Sequence, residues 1–127
     1  MNVNVLLQVF LFSLDLAGIL AASGTQENLM EAEKLYKTVL QMRPDYMPAY
    51  ERRGEIMFKL SRLNDAREMF QTGLQYNPNN GNCYYNLAVI ELTEGPRDPK
   101  KLTKAFSYLD RAIQLEPEHY HAMHAFA

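Results

Sequence analysis

The chain has 127 residues, a formal net charge of −2, 47% apolar residues and 22% charged residues. This composition is typical of a soluble globular protein and excludes a disordered, highly charged chain. The near balance of charge argues against non-specific nucleic-acid binding, which requires clustered Lys and Arg. The single cysteine, Cys83, excludes an intramolecular disulfide framework and a cysteine-based zinc finger.

Residues 1–24 form an apolar segment of ambiguous role. Residues 3–22 are mostly apolar, and the first basic residue is Lys34. A helix buried against its neighbours is one interpretation, and a disordered tail is another. A targeting signal or membrane span is the third, although a signal peptide normally begins with positive charge and Asp15 would cost about 2.5–3.5 kcal/mol in a bilayer. Residues 1–24 are therefore treated as a separate segment whose contact with a membrane stays open.

A repeat organises the remainder of the chain. A small residue, an aromatic, a leucine and a proline follow one another at intervals of four positions, and the set recurs: Ala32, Tyr36, Leu40 and Pro44, then Ala66, Phe70, Leu74 and Pro78. A third copy follows after a slightly longer step: Ala105, Leu109, Ile113 and Pro117. The extra residues fall in 93–101, whose glycine and prolines are typical of a loop.

This pattern resembles the tetratricopeptide repeat, a helix–turn–helix unit of about 34 residues. The resemblance implies an all-α solenoid of about three repeats plus a truncated fourth, occupying 25–127. The predicted units are 25–44, 45–78, 79–117 and 118–127, and helix A of the first unit is degenerate, with Leu16, Ile19 and Leu20 mapped onto it loosely. The predicted helices are about 4–22, 28–42, 46–60, 63–76, 80–93, 99–115 and 118–127.

Local signals refine these helices. Small residues are expected where two helices of a unit cross, namely at Gly54, Ala66, Ala88 and Ala105. Asn28 with Glu31 has the spacing of a capping box. Asp45 and Asn79 are the expected N-caps of the two later A helices.

The outward face of each helix A is the candidate binding surface, because it lines the concave side of such a solenoid. In the second unit this face carries Glu51, Arg52, Glu55, Phe58 and Lys59. In the third unit it carries Asn82, Tyr85, Asn86, Val89 and Leu92. The alternative is a solvated helix face with charge pairs at i,i+4 spacing.

Other kinds of site find little support. A basic clamp for a terminal carboxylate is matched only by Asn86, and Glu51 and Glu55 would repel that group. No catalytic residue, cofactor site or phosphate loop is predicted. The histidines near the end of the chain are not expected to form a metal site: His119, His121 and His124.

Two stretches are similar to a narrower family. They comprise 31–36 (EAEKLY) with 42–46 (MRPDY), and 84–89 (YYNLAV) with 111–117 (RAIQLEP). They resemble the repeat region of the transmembrane and tetratricopeptide-repeat protein O-mannosyltransferases, over about 28–124. The resemblance implies a family of the endoplasmic reticulum membrane. Its multi-span part transfers mannose from a dolichol-phosphate donor, and its luminal repeats engage acceptors such as cadherins.

The resemblance implies an acceptor-binding or scaffold role here, since the family's multi-span catalytic part is absent from these residues. Two alternatives stay open: a free cytosolic adaptor, and a fragment that self-associates through its truncated fourth repeat. All three are protein–protein interaction modules rather than enzymes acting alone.

Overall fold

A computed structural model describes residues 2–118, and within them it contains helices and loops but no strand. The helices are α1 Val3–Ser23, α2 Gln26–Met42, α3 Met47–Lys59, α4 Leu63–Tyr76, α5 Gly81–Glu94 and α6 Pro99–Leu115. The predicted all-α class is confirmed, and each predicted helix boundary in this range lies within two residues of the observed one. The predicted helix at 118–127 lies essentially outside the described residues.

The chain divides into two compact units, and the division falls after Met69, inside α4. The first unit contains α1, α2, α3 and the beginning of α4. The second contains the end of α4, then α5 and α6.

Helix α1 is a complete helix that packs against α2. Its start is capped by Asn2, whose Oδ1 accepts a hydrogen bond from Asn4 N at 2.6 Å. Its end is closed by Gly24, whose φ of 74° is the left-handed conformation that glycine adopts without steric cost. Helix α1 is thus a full structural partner of α2.

Only one face of α1 is buried. It carries Phe10, Ser13 and Ala17, whose spacing places them on one side of a helix. Of the residues mapped loosely onto the first helix A, Leu20 packs against the core, whereas Ile19 is 68% exposed. An apolar helix shows little contrast between its packed side and the rest, so the sequence does not separate the two residues.

An aromatic contact fixes α1 against the segment that precedes α3. The rings of Phe10 and Tyr46 meet edge to face, with centroids 5.2 Å apart. The guanidinium of Arg43 lies over both rings, 5.8 Å from the centroid of Phe10 and 5.1 Å from that of Tyr46. Such edge and cation–π contacts add to the area that the rings bury.

The cores of the two units are built around small residues. In the first unit Ala17, Ala32 and Ala49 are fully buried beside Val39 and Ile56. The predicted crossing residues are all buried: Gly54, Ala66, Ala88 and Ala105. This burial agrees with the small side chains expected at these positions.

The predicted caps were wrong by one to three residues. Helix α2 is capped by Thr25, whose Oγ1 accepts from Asn28 N at 3.2 Å, because Gly24 has already turned the chain. Helix α3 begins after Tyr46, without a side-chain cap. Helix α5 is capped by Asn80, whose Oδ1 accepts from Cys83 N at 3.0 Å.

Candidate functional site

The first unit contains an open groove of about 430 Å³. Its walls come from three helices and are lined by Gly18, Ala21, Ala22, Tyr36, Arg52, Glu55, Ile56 and Lys59. Three of the five side chains predicted on α3, namely Arg52, Glu55 and Lys59, therefore line one groove. The other two, Glu51 and Phe58, are half-buried and lie outside its lining.

The groove is open because α1 presents small residues to it. Gly18, Ala21 and Ala22 have i, i+3, i+4 spacing, which places them together on one side of α1. A Cβ atom added at Gly18 would meet no other atom within 4 Å. This wall of the groove is thus low, and a polypeptide backbone can approach it closely.

Glu55 is the central charged group of the groove. Burial raises the pKa of Glu55 above its ordinary value, Arg52 opposes this shift, and the charge of Glu51 adds to it. The Arg52 Nη1 atom lies 3.4 Å from Glu55 Oε2. A carboxylate that is partly removed from water accepts hydrogen bonds from a ligand more strongly than one that is fully solvated.

Tyr36 supplies a hydroxyl from α2. The residue is only 4% exposed. Burial raises the pKa of its hydroxyl, the charge of Arg52 lowers it, and Glu55 raises it. The groove therefore combines the donors of Arg52, Lys59 and Tyr36 with the acceptor of Glu55.

The second unit presents the other predicted face on α5. Asn82 is exposed, whereas Tyr85, Asn86 and Val89 are half-buried. Their i, i+3, i+4, i+7 spacing places these four side chains on one side of the helix. Leu92 is half-buried as well. A face with two amides, a phenol and an apolar side chain suits a polypeptide ligand.

The opposite side of α5 is closed by the core and by α6. Cys83 is fully buried and is a small core residue. Glu91 is 2% exposed, and its carboxylate lies 3.5 Å from Lys101 Nζ and 3.7 Å from Lys104 Nζ. These ion pairs join α5 to α6 and orient the candidate face.

Sequence reasoning missed the part of the groove that comes from outside α3. Tyr36, Ile56 and the small residues of α1 are not among the predicted site residues. The sequence signal for the α1 wall is the row of Gly18, Ala21 and Ala22 on one side of an otherwise bulky helix, and no sequence signal marks Tyr36 or Ile56.

Residues 2–118 hold no group of three or more His, Cys, Asp or Glu side chains placed to bind a metal ion. The three histidines considered in the sequence lie beyond these residues: His119, His121 and His124.

Comparison with known proteins identifies the repeat. The model of a tetratricopeptide repeat family matches residues 25–88. The crystal structure of MamA superposes with a TM-score of 0.65 at 15% identity, covering 72% of this chain and 51% of that one. A MamA RS-1 ArsTM double mutant superposes with a TM-score of 0.66 at 20% identity, covering 92% and 59%. At these identities the structures support the fold alone.

Curated relatives are longer proteins. The chain is 34% identical over 106 residues to the protein O-mannosyl-transferase TMTC3 of Homo sapiens, covering 84% of this chain. It is 37% identical over 83 residues to the protein of that name from Mus musculus, covering 64% of this chain. The chain spans about a tenth of the length of these relatives, 11% and 9% respectively. With its helix pairs, its regular repeat period and the family match over half of its length, the chain belongs to the tetratricopeptide repeat family.

Proposed function

We propose that this chain is a polypeptide-binding module, and that it acts as the acceptor-binding part of a protein similar to the O-mannosyltransferases of the endoplasmic reticulum. The observation that carries the proposal is the groove of the first unit, where Glu55 and Arg52 face the low wall of α1. The similarity to TMTC3 over 106 residues supports the choice of ligand.

The size of the groove fits a peptide segment. Ligand pockets in proteins range over about 300–1,000 Å³, and this one is about 430 Å³. The low wall at Gly18 admits the backbone of an extended chain. Arg52, Lys59 and Tyr36 are then available to its carbonyl groups, and Glu55 to its amide groups or to a basic side chain.

The charges favour an internal segment of a polypeptide over a free carboxyl terminus. Glu51 and Glu55 alternate with Arg52 and Lys59 along α3, so this helix offers no purely cationic clamp. A carboxylate would be repelled by Glu55, whereas the amide and carbonyl groups of a neutral backbone can hydrogen-bond to both the acceptor and the donors of the groove.

In this proposal the chain recognises the acceptor, and mannose transfer belongs to the multi-span part of the resembled family. The acceptors that the resemblance implies are proteins such as cadherins, and we propose that the groove binds an exposed, extended segment of such an acceptor. Recognition then uses the groove of the first unit and the α5 face, each contributing its own contacts.

Binding to a purified cadherin repeat, followed by fluorescence anisotropy, tests the proposal. We expect Glu55→Lys and Tyr85→Ala each to weaken binding by tenfold or more. Glu68→Lys and Tyr76→Ala make the same chemical changes on exposed positions of α4 and serve as matched controls. Equal affinity of all four variants would contradict the proposed surfaces, and the absence of binding by the unchanged chain would contradict the acceptor class.

A luminal location is part of the proposal and has its own test. Among the described residues, α1 is long and apolar enough to cross a membrane by length and composition, but the groove requires it to stay packed on α2. We therefore expect the full chain to be protected from protease in intact microsomes and to be released by alkaline extraction. Accessibility to protease would contradict the location and favour a cytosolic adaptor, and retention in the membrane would contradict the groove.

A further inference from the structure

Helix α1 carries a second surface, away from both α2 and the groove, on which none of the residues 2–118 packs closely. It consists of Val5, Val9, Phe12, Leu16 and Ile19, which we call the α1 seam. Val5 and Val9 are each 41% exposed, Phe12 is 70% exposed and Ile19 is 68% exposed. Leu16 is half-buried.

The spacing of the α1 seam is that of a helix–helix contact. Its five residues follow one another at intervals of 4, 3, 4 and 3, which is the a/d pattern of a heptad repeat. At about 100° per residue they lie on one side of α1, roughly 145° around the helix from Gly18, Ala21 and Ala22. A helix docked on the seam therefore leaves the groove open.

We propose that the α1 seam is a self-association surface, on which α1 of a second copy of this chain packs to form a dimer. A second copy presents the same seam, so every apolar residue meets an apolar partner, as a two-fold interface requires. Asp15 is the sole charged residue of α1 and lies beside the seam with Gln8, where both stay in water at the rim.

The polar residues beside the α1 seam favour a packed helix over a lipid bilayer as the partner of the seam. Asn4, Gln8 and Asp15 lie on the exposed side of α1 that separates the seam from the groove. Insertion of this side would dehydrate Asp15, at a cost of about 2.5–3.5 kcal/mol on insertion scales. A packed helix covers the seam alone and imposes no such cost.

The area of the seam is that of a weak dimer interface. Phe12 alone presents roughly 100–170 Å² at its exposure of 70%, since a buried aromatic side chain covers about 150–250 Å². The whole seam with its flanks offers roughly 500 Å² per chain, so two copies bury about 1,000 Å², which is the range of weak, reversible interfaces rather than of stable ones. The dimer is thus expected to form and dissociate within the micromolar range.

Sedimentation equilibrium of the full chain, from about 1 µM to about 200 µM, tests the proposal. We expect a reversible monomer–dimer equilibrium that the double variant Phe12→Glu/Ile19→Glu weakens at least tenfold. Helical circular dichroism and Tm are expected to stay close to those of the unchanged chain, because both side chains are exposed. A monomer at every concentration would overturn the proposal.

The matched control is Leu7→Glu/Leu11→Glu, which alters two α1 residues of similar exposure, 53% and 49%, outside the seam. We expect this variant to dimerise like the unchanged chain. Equal loss of dimer in both variants would overturn the seam in favour of general apolar association. Binding to phosphatidylcholine vesicles that both variants lose, without a dimer in solution, would overturn it in favour of a lipid surface.

Discussion

Arg53 Nε donates a hydrogen bond to Glu33 Oε1 across 2.7 Å, which joins α3 to α2 inside the first unit. The two side chains are 17% and 13% exposed. An ion pair so shielded from water differs from the surface pairs of this chain, such as Lys34–Glu31, whose side chains are 67% and 60% exposed. Arg53 and Glu33 thus help to hold α3, and with it the groove residues, against α2.

Replacing either partner of this pair leaves the other charge poorly solvated. We expect Arg53→Met or Glu33→Ala to lower the free energy of unfolding by about 2 kcal/mol. The double variant is expected to lose less than the sum, with a coupling energy of about 1–3 kcal/mol in urea denaturation. Lys34→Met, the exposed control, is expected to change stability by less than about 0.5 kcal/mol. Additive losses at Arg53 and Glu33 would show that the pair does not join the helices.

Gly95 lies under the stem of Lys101, just after α5. A Cβ atom at position 95 would collide with Lys101 Cδ and lie 3.0 Å from Asp98 Cβ. Because Lys101 also pairs with Glu91 and Glu94, we expect Gly95→Ala to displace it and to destabilise the chain by about 1 kcal/mol. In a Lys101→Ala background the same change is expected to cost clearly less, which a thermal denaturation cycle measures. The same loss of stability in the Lys101→Ala background would contradict Lys101 as the side chain that Gly95→Ala displaces.

Glu55 provides a prediction on pH. Its folded-state pKa is raised by burial, so the native state binds the proton more tightly than the unfolded chain does. The contribution of this carboxyl to stability is fully present below its ordinary pKa and is lost as the pH rises through the raised value. Glu55→Gln is therefore expected to gain stability relative to the unchanged chain near pH 7, and this gain is expected to vanish in acid.

A carboxyl-carbon NMR titration measures the same quantity directly. We expect Glu55 to titrate above the ordinary glutamate value, and Arg52→Gln to raise the pKa further, because Arg52 lowers it. A value at or below the ordinary one would contradict the half-buried position of Glu55.

Gly18 offers a change that touches no neighbour. Glycine inside a helix costs about 0.5–1 kcal/mol relative to alanine, and a Cβ atom at this position meets nothing within 4 Å. We expect Gly18→Ala to raise the free energy of unfolding by that amount in chemical denaturation. A loss of stability would contradict the open wall of the groove at Gly18.

The periodicity of the sequence predicted the helices and their buried sides well, but not their N-caps. The four-residue spacing of Ala32, Tyr36 and Leu40 reports which side of a helix is buried, and these three residues are buried. The caps were missed because two residues near each helix start can cap it. Thr25 competes with Asn28 at α2, and Asn80 competes with Asn79 at α5. The backbone turn decides which one caps, and spacing in the sequence does not show that turn.

The sequence alone could not show which role α1 has, and the reason is physical. A helix that is apolar on most sides satisfies the composition of a packed helix, a signal and a membrane span alike. The burial of Phe10 and Ala17 against α2 identifies the packed side. The groove depends on that placement, because packing of α1 against α2 brings Gly18 to the same groove as Arg52 and Glu55.

Binding of a purified cadherin repeat to Gly18→Leu and Gly18→Ala, compared side by side, tests the central claim most directly. Both variants remove the same helix glycine, but leucine fills the groove whereas alanine adds one methyl group. We predict that Gly18→Ala binds like the unchanged chain and that Gly18→Leu binds at least tenfold more weakly while remaining folded. Equal binding by a folded Gly18→Leu variant would contradict the groove as the binding site.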